Sequence, residues 1–309
     1  MLEGFLTVGN QILILFLLIA AGYLVTRTGL ITEFGAKQMT NVLLFLITPA
    51  VVVSAFETPF DSSRLAGLGI SAASAAATHL LGIYLSKLCF RKHPEDRQCV
   101  YRCAVIYSNC GFMALPLIDA LIGREGLFYG AAYILVFNIF VWTHGIMIMS
   151  GDRGSVKARQ IFINPGVIAS GLALVMFFLS VTLPPPIQGA VRMLANVNTP
   201  LAMIVIGAFL ARVSVRSIFS KTEVYIAAAL RLLAVPLIIL LALSRLGLPE
   251  ALFKTCVISA CAPPAATVSL FSARFSRDAG LAGELIAFAT AFSIVTMPLL
   301  LMLTDMLVS

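Results

Sequence analysis

The chain has 309 residues, 60% of them hydrophobic and 11% charged, with a mean hydropathy of +1.00 and a formal net charge of +7. Soluble domains carry about 25% charged residues, so these totals exclude an ordinary water-soluble fold and describe a polytopic membrane protein with little mass outside the bilayer. The positive charge does not indicate a nucleic-acid partner, because the basic residues lie in short links between apolar runs, the pattern of loops facing anionic lipid.

The first segment, "MLEGFLTVGNQILILFLLIAAGYLV", has an acidic residue and no basic one ahead of its apolar core. A cleaved signal peptide opens on a positive region, so an uncleaved first helix is expected. A membrane-spanning helix takes about 20 mostly apolar residues. Ten segments qualify, in chain order 7–26, 37–56, 65–89, 98–122, 126–149, 162–181, 190–211, 222–245, 251–273 and 279–304. The expectation is an all-α polytopic membrane protein of ten transmembrane helices. Cys89, Cys99, Cys103, Cys110, Cys256 and Cys261 fall within or beside these spans. No His or carboxylate arrangement completes a metal site around them, and they read as small buried hydrophobes.

Lysine and arginine sort by side. The links after the first, third, fifth, seventh and ninth spans hold fifteen, including Lys157, Arg159, Arg216, Arg274 and Arg277. The opposite side holds five: Arg64, Arg124, Arg192, Arg245 and Lys254. This bias places the odd-numbered links in the cytoplasm and both termini outside, with the chain multi-pass.

The chain divides near residue 155 into two five-span halves, 1–155 and 156–309. A shift of about 151 residues brings "ITP" at 47–49 onto "NTP" at 198–200, and the interrupted run around Asn109 onto "CAPPAATVS" at 261–269. Five is odd, so two such halves lie in opposite orientations in the membrane. Inverted repeats with one interrupted helix each are a signature of secondary transporters.

The interruptions are "SNCGFMALP", 108–116, in the fourth span and "CAPPAATVS" in the ninth. A proline inside a helix costs about 3 kcal/mol, and unsatisfied backbone in hydrocarbon costs more. Such a break persists only inside protein or beside a polar cavity. Asn109 lies about 16 Å along its span at 1.5 Å per residue, close to the middle of a core about 30 Å thick. Pro263 lies at similar depth from the other side, so the two breaks can meet. A half-helix that starts after a break offers free N–H groups and about half a positive charge. Two such ends favour a bound anion such as a carboxylate.

The run "SNCGFMALPLIDALIGREGLFYGAAYILVFNIFVWTHG" resembles the fourth and fifth helices of the auxin efflux carrier family, which includes bacterial malate and malonate permeases. The matching residues are Asn109, Gly111, Pro116, Gly123, Gly126, Asn138, Trp142 and Thr143. The resemblance implies two inverted five-helix repeats with broken, crossing helices four and nine and, through the family's bacterial permeases, a multi-pass place in the plasma membrane, the inner membrane of a bacterium. Helices one, two, six and seven would form a scaffold that dimerises, and helices three to five and eight to ten a transport domain. It also implies carriage of an organic anion. The substrate-binding residues it suggests, together with the breaks, are Ser108, Asn109, Gly111, Pro116, Asn138, Pro263 and Pro264. Val268 stands where plant members have a further proline, and their long cytoplasmic loop is absent. A small mono- or dicarboxylate such as malate or malonate is therefore expected rather than auxin.

Ionisable residues inside spans are functional candidates. Arg231 and Glu284 are expected about 9–14 Å deep, as an ion pair or as coupling groups. Asp119 is expected as a cap near the start of the outer half-helix. His79 and His144 are read as structural, with proton relay as the alternative. No HExxH, GxSxG, Walker A or CxxC pattern is present, so no catalytic residue, metal or cofactor is assigned and no enzyme is expected. Two alternatives stand beside anion carriage. One is a sodium- or proton-coupled carrier drawing on Asn109, Asn138, Thr290 and Ser293. The other is a membrane sensor that binds an anion without moving it.

Overall fold

The structure, a computed structural model, describes residues 2–155, 163–212 and 221–308. Lys157, Arg159 and Arg216, counted in the charge bias, lie outside the described residues. Regular structure among the described residues is helical, apart from one isolated antiparallel bridge between Ser108 and Pro264. In chain order the helices are α1 (Leu2–Arg27), α2 (Glu33–Ala55), α3 (Ser62–Cys89), α4 (Glu95–Ile106), α5 (Cys110–Leu121) and α6 (Arg124–Ser150). They continue with α7 (Pro165–Phe178), α8 (Pro185–Leu210), α9 (Thr222–Leu243), α10 (Glu250–Cys261), α11 (Thr267–Arg274) and α12 (Ala279–Val308).

Among the described residues, seven helices are long and apolar enough to cross a membrane: α1, α2, α3, α6, α8, α9 and α12. Three expected spans are not continuous helices of that length. The span 98–122 is divided into α4 and α5, and 251–273 into α10 and α11, by the interruptions themselves. In the span 162–181, of which residues 163–181 are described, the helix among the described residues is the 14-residue α7, which starts at Pro165 behind an Asn164 cap.

Prolines are accommodated by local widening of the helix. Pro49, Pro116 and Pro236 each follow a five-residue π turn by two positions, at Leu43–Ile47, Cys110–Ala114 and Leu230–Ala234. A proline clashes with the carbonyl four residues back, and in each case that residue (Phe45, Phe112, Leu232) lies in the widened turn. Pro116 therefore sits inside α5 and does not end a helix, contrary to the sequence expectation.

Helix packing uses small residues where backbones meet. α1 packs along α8, and a Cβ on Gly22 would come within 2.3 Å of the Ile204 carbonyl. A Cβ on Gly207 would come within 2.0 Å of the Ile19 carbonyl. α2 packs on α7 and α8, while α3 packs on α4 and α6, and α10 on α6 and α12. On one face, Arg277 bonds Glu95 at 3.1 Å and the Met149 carbonyl at 2.7 Å, tying together α4, α6 and the start of α12.

Candidate functional site

The two interruptions are hydrogen-bonded to each other. α4 ends at Ile106, residues 107–109 are non-helical, and α5 begins at Cys110. α10 ends at Cys261 and α11 begins at Thr267. The Asn109 N–H donates to the Pro263 carbonyl at 2.7 Å, and the Ala265 N–H donates to the Tyr107 carbonyl at 2.9 Å. Backbone groups that would otherwise be stranded in an apolar interior thus satisfy one another.

Local chemistry explains each break. Residues 263 and 264 are both proline, so neither can donate to the carbonyls of Ser259 and Ala260 four residues back. Ala262 adopts φ −60°, ψ 143°, in the extended region to which a following proline confines it. In the other break Asn109 is the N-cap, and its Oδ1 accepts from the Phe112 N–H at 3.2 Å. Tyr107 is anchored from the side, its hydroxyl 2.8 Å from His144 Nδ1 and 3.2 Å from the Phe140 carbonyl.

Four helix ends meet at this crossing, and their charges are treated differently. The C-terminal ends of α4 and α10 are met by Arg231, which is fully buried. Its Nη1 donates to the carbonyls of Val105 at 3.2 Å and Ile106 at 3.4 Å, and its Nη2 donates to the Ala260 carbonyl. The N-terminal ends, of α5 and α11, border a cavity of about 560 Å³. Gly111 and Thr267, in the first turns of α5 and α11, both line it. A Cβ on Gly111 would meet nothing within 4 Å.

The cavity lies between α2 and α7 on one side and α5, α6 and α11 on the other. Its walls are mainly apolar, with Phe45, Phe137, Trp142 and Phe271 among them. Its polar groups are few. The hydroxyls of Thr48 and Thr267 are buried without a partner among the described residues, and Asn138 packs against Gly166, where a Cβ would fall 2.6 Å from Asn138 Nδ2. Arg274 is the one cation among the described lining residues, and none of them is a carboxylate.

Among the substrate-binding residues expected from sequence, Gly111 and Asn138 line this cavity. Asn109 is not among the lining residues, and its carbonyl oxygen is turned into its own helix. Ser108, Pro263 and Pro264 build the bridge beneath. Pro116 is buried within α5 and lines no part of the cavity.

Two expectations about charge are corrected. Asp119 sits near the end of α5 rather than its start, because the helix begins at Cys110 and runs through Pro116; it caps no N-terminus. Arg231 and Glu284 do not pair: Arg231 is held by carbonyls, and Glu284 bonds Lys221 at 2.7 Å. His79 Nδ1 lies 2.6 Å from the Ala75 carbonyl, and its buried Nε2 has no partner among the described residues.

Sequence reasoning passed over Thr48, Thr267 and Arg274, and also a polar node on the opposite face. There the Glu57 carboxylate, with a side chain 1% exposed, lies 3.8 Å from Arg124 and 3.7 Å from Arg192 and accepts from Gln188 at 3.1 Å. A smaller polar cavity of about 200 Å³, lined by Asp119, Arg124, Arg192 and Asn198 among others, adjoins it. The only advance signal for the node was an acidic residue closing an apolar span.

Comparison with known proteins assigns the chain to a family. Residues 7–301 match the family described as "Membrane transport protein". A protein of Methanothermobacter thermautotrophicus, described as an uncharacterized transporter, is 25% identical over 299 residues, which is 94% of this chain and 96% of the relative. The chain belongs to this membrane transport family, the auxin efflux carrier family, and is a multi-pass membrane transporter.

Proposed function

We propose that this family member is a secondary carrier of a small organic anion, a mono- or dicarboxylate such as malate or malonate, held at the helix crossover and moved by alternating access. One observation carries the reading. The N-terminal ends of α5 and α11 border a cavity with no described carboxylate, while the opposing C-terminal ends already have Arg231. Each N-terminus contributes about half a positive charge, so the cavity has a positive field that no described side chain offsets. An anion does so, with hydrogen bonds from first-turn N–H groups, the Thr48 and Thr267 hydroxyls and Asn138.

The walls refine the substrate class. A single carboxylate meets the polar end while a hydrocarbon body meets the phenyl rings. A second carboxylate has Arg274 as its one cationic partner among the described lining residues. A dicarboxylate can therefore use both the crossover and Arg274, whereas a monocarboxylate uses the crossover alone.

Alternating access is supported by the asymmetry of the two faces. The large cavity opens beside residues 163–166 and Arg274, whereas the Glu57 node joins α2 to α6 and α8 on the other face. With the basic links cytoplasmic and both termini outside a plasma membrane, as in the bacterial inner membrane, the cavity faces the cytoplasm. The finer architecture we propose is the ten-helix inverted repeat, with α1, α2, α7 and α8 as a dimerising scaffold and the remaining helices as the moving unit.

Uptake of radiolabelled malate, malonate, succinate, lactate and indole-3-acetate into proteoliposomes tests the reading, with Asn138→Ala as the site variant. Saturable uptake of at least one acid, with affinity reduced about tenfold or more in Asn138→Ala, is expected. If no acid moves, the anion-carrier reading fails. If the variant transports normally, the cavity is not the site.

A further inference from the structure

Arg231 is an unusual buried charge, because no acidic side chain among the described residues pairs with it. Its hydrogen bonds all go to backbone carbonyls of Val105, Ile106 and Ala260, and its buried Nε has no partner among the described residues. Those carbonyls belong to the last turns of α4 and α10. The last four carbonyls of a helix lack intrahelical donors. At Ala260 the shortage is absolute, because the residue four positions on is Pro264. Each helix C-terminus carries about half a negative charge, so the two ends together present about one, which a single guanidinium balances.

In interrupted-helix carriers, C-terminal half-helix ends and unwound carbonyls are where a coupling cation binds. Here that position is filled by a side chain reaching in from α9. We propose that Arg231 is a tethered cation occupying a latent monovalent-cation site at the crossover, so that the protein needs no bound metal ion there and acquires a cation requirement when the guanidinium is removed. The inference rests on the crossover being the transport site, but the cation site has its own readout.

Wild type, Arg231→Ala and Arg231→Lys are purified, and thermal stability is measured in Na⁺, K⁺, guanidinium at up to about 20 mM, or N-methylglucamine, at constant ionic strength. Uptake of a carried carboxylate is followed under the same conditions. For the wild type, melting temperature and uptake should be the same in Na⁺ and N-methylglucamine, within about twofold for uptake. Arg231→Ala should lose uptake at least tenfold and regain threefold or more with guanidinium or a small metal cation, with a melting temperature that rises only with those ions. Arg231→Lys, which keeps a point charge but cannot span both helix ends, should be intermediate and less cation-responsive than Arg231→Ala.

The proposal is overturned if wild-type uptake or stability requires Na⁺, or if folded Arg231→Ala responds to no cation. If Arg231→Ala does not fold, Arg231→Lys decides: a melting temperature or uptake higher in Na⁺, K⁺ or guanidinium than in N-methylglucamine supports the site, and no such difference overturns it. The melting data report on the cation site even if no carboxylate is carried, so failure of the substrate reading is separable.

Discussion

At the α4–α5 break the helix stops with no proline among residues 107–109, whereas at the α10–α11 break two consecutive prolines remove the donors. The first is made by side chains: Asn109 caps the new helix, and Tyr107 is fastened to His144 and the Phe140 carbonyl. The second is made by the backbone, and α11 starts without a side-chain cap. Both arrive at the same antiparallel pairing. The difference shows where function can reside. A break held by side chains has its cap oxygen, Asn109 Oδ1, already occupied, while the uncapped start leaves the Thr267 hydroxyl buried without a partner among the described residues. The two halves of the crossover therefore contribute different groups to one cavity.

The largest expected effect comes from adding a negative charge at the capped start. Asn109→Asp preserves the cap, since Asp and Asn serve equally well there, but it places a carboxylate at a buried position, so the protein should still fold with a lowered melting temperature. The new carboxylate lies behind the anion position. At roughly 6 Å and an effective dielectric of about 20 the repulsion is about 3 kcal/mol, a factor of about 100 in affinity. Normal uptake by Asn109→Asp would show that the α5 terminus does not face the substrate.

Gly111→Ala separates space from charge. The added methyl meets no described atom within 4 Å, and alanine is better than glycine in a helix by about 0.5–1 kcal/mol. Stability should hold or rise slightly. The methyl projects from a residue that lines the cavity, and crowding of that kind costs typically 1–3 kcal/mol, about tenfold in apparent affinity. A stable variant with unchanged affinity would place the anion elsewhere.

How much of this was readable in advance differs along the crossover. The breaks were legible because Asn, Gly and Pro are rare companions in hydrocarbon, and equal depth implied that they meet. Their chemistry was less so. Pro116 looked like the break point, but the π turn at Cys110–Ala114 absorbs it, and a widened turn leaves no mark in composition. Arg231 invited an acidic partner, and Glu284 lay at suitable depth. Backbone carbonyls exist at every residue, so nothing in the sequence points to Val105, Ile106 and Ala260 as the acceptors. Thr48 and Thr267 were passed over because a helical threonine usually bonds its own preceding turn, as Thr40 and Thr304 do here.

Thr267→Val tests the uncapped side with a smaller change. It removes a buried hydroxyl that has no partner among the described residues, so stability should be unchanged or slightly higher. The lost hydrogen bond to the anion is worth about 0.5–1.5 kcal/mol, which predicts affinity about three- to tenfold weaker, measured as the KM for uptake. The same substitution at Thr143, whose hydroxyl bonds the Ile139 carbonyl at 2.6 Å, should leave KM unchanged and serves as the control.

The smallest effect is expected from restoring a donor to the backbone-made break. Pro264→Ala supplies an N–H that can return to the Ala260 carbonyl, the group Arg231 now holds. Proline at a compatible position stabilises by about 0.4–1 kcal/mol through the unfolded chain, so a melting temperature lower by a few degrees is expected. The bridge itself does not use the nitrogen of residue 264, since its hydrogen bonds come from Asn109 and Ala265. Uptake should therefore fall by no more than about twofold. A loss as large as that of Asn109→Asp would mean that the prolines, and not the pairing between the two breaks, maintain the crossing.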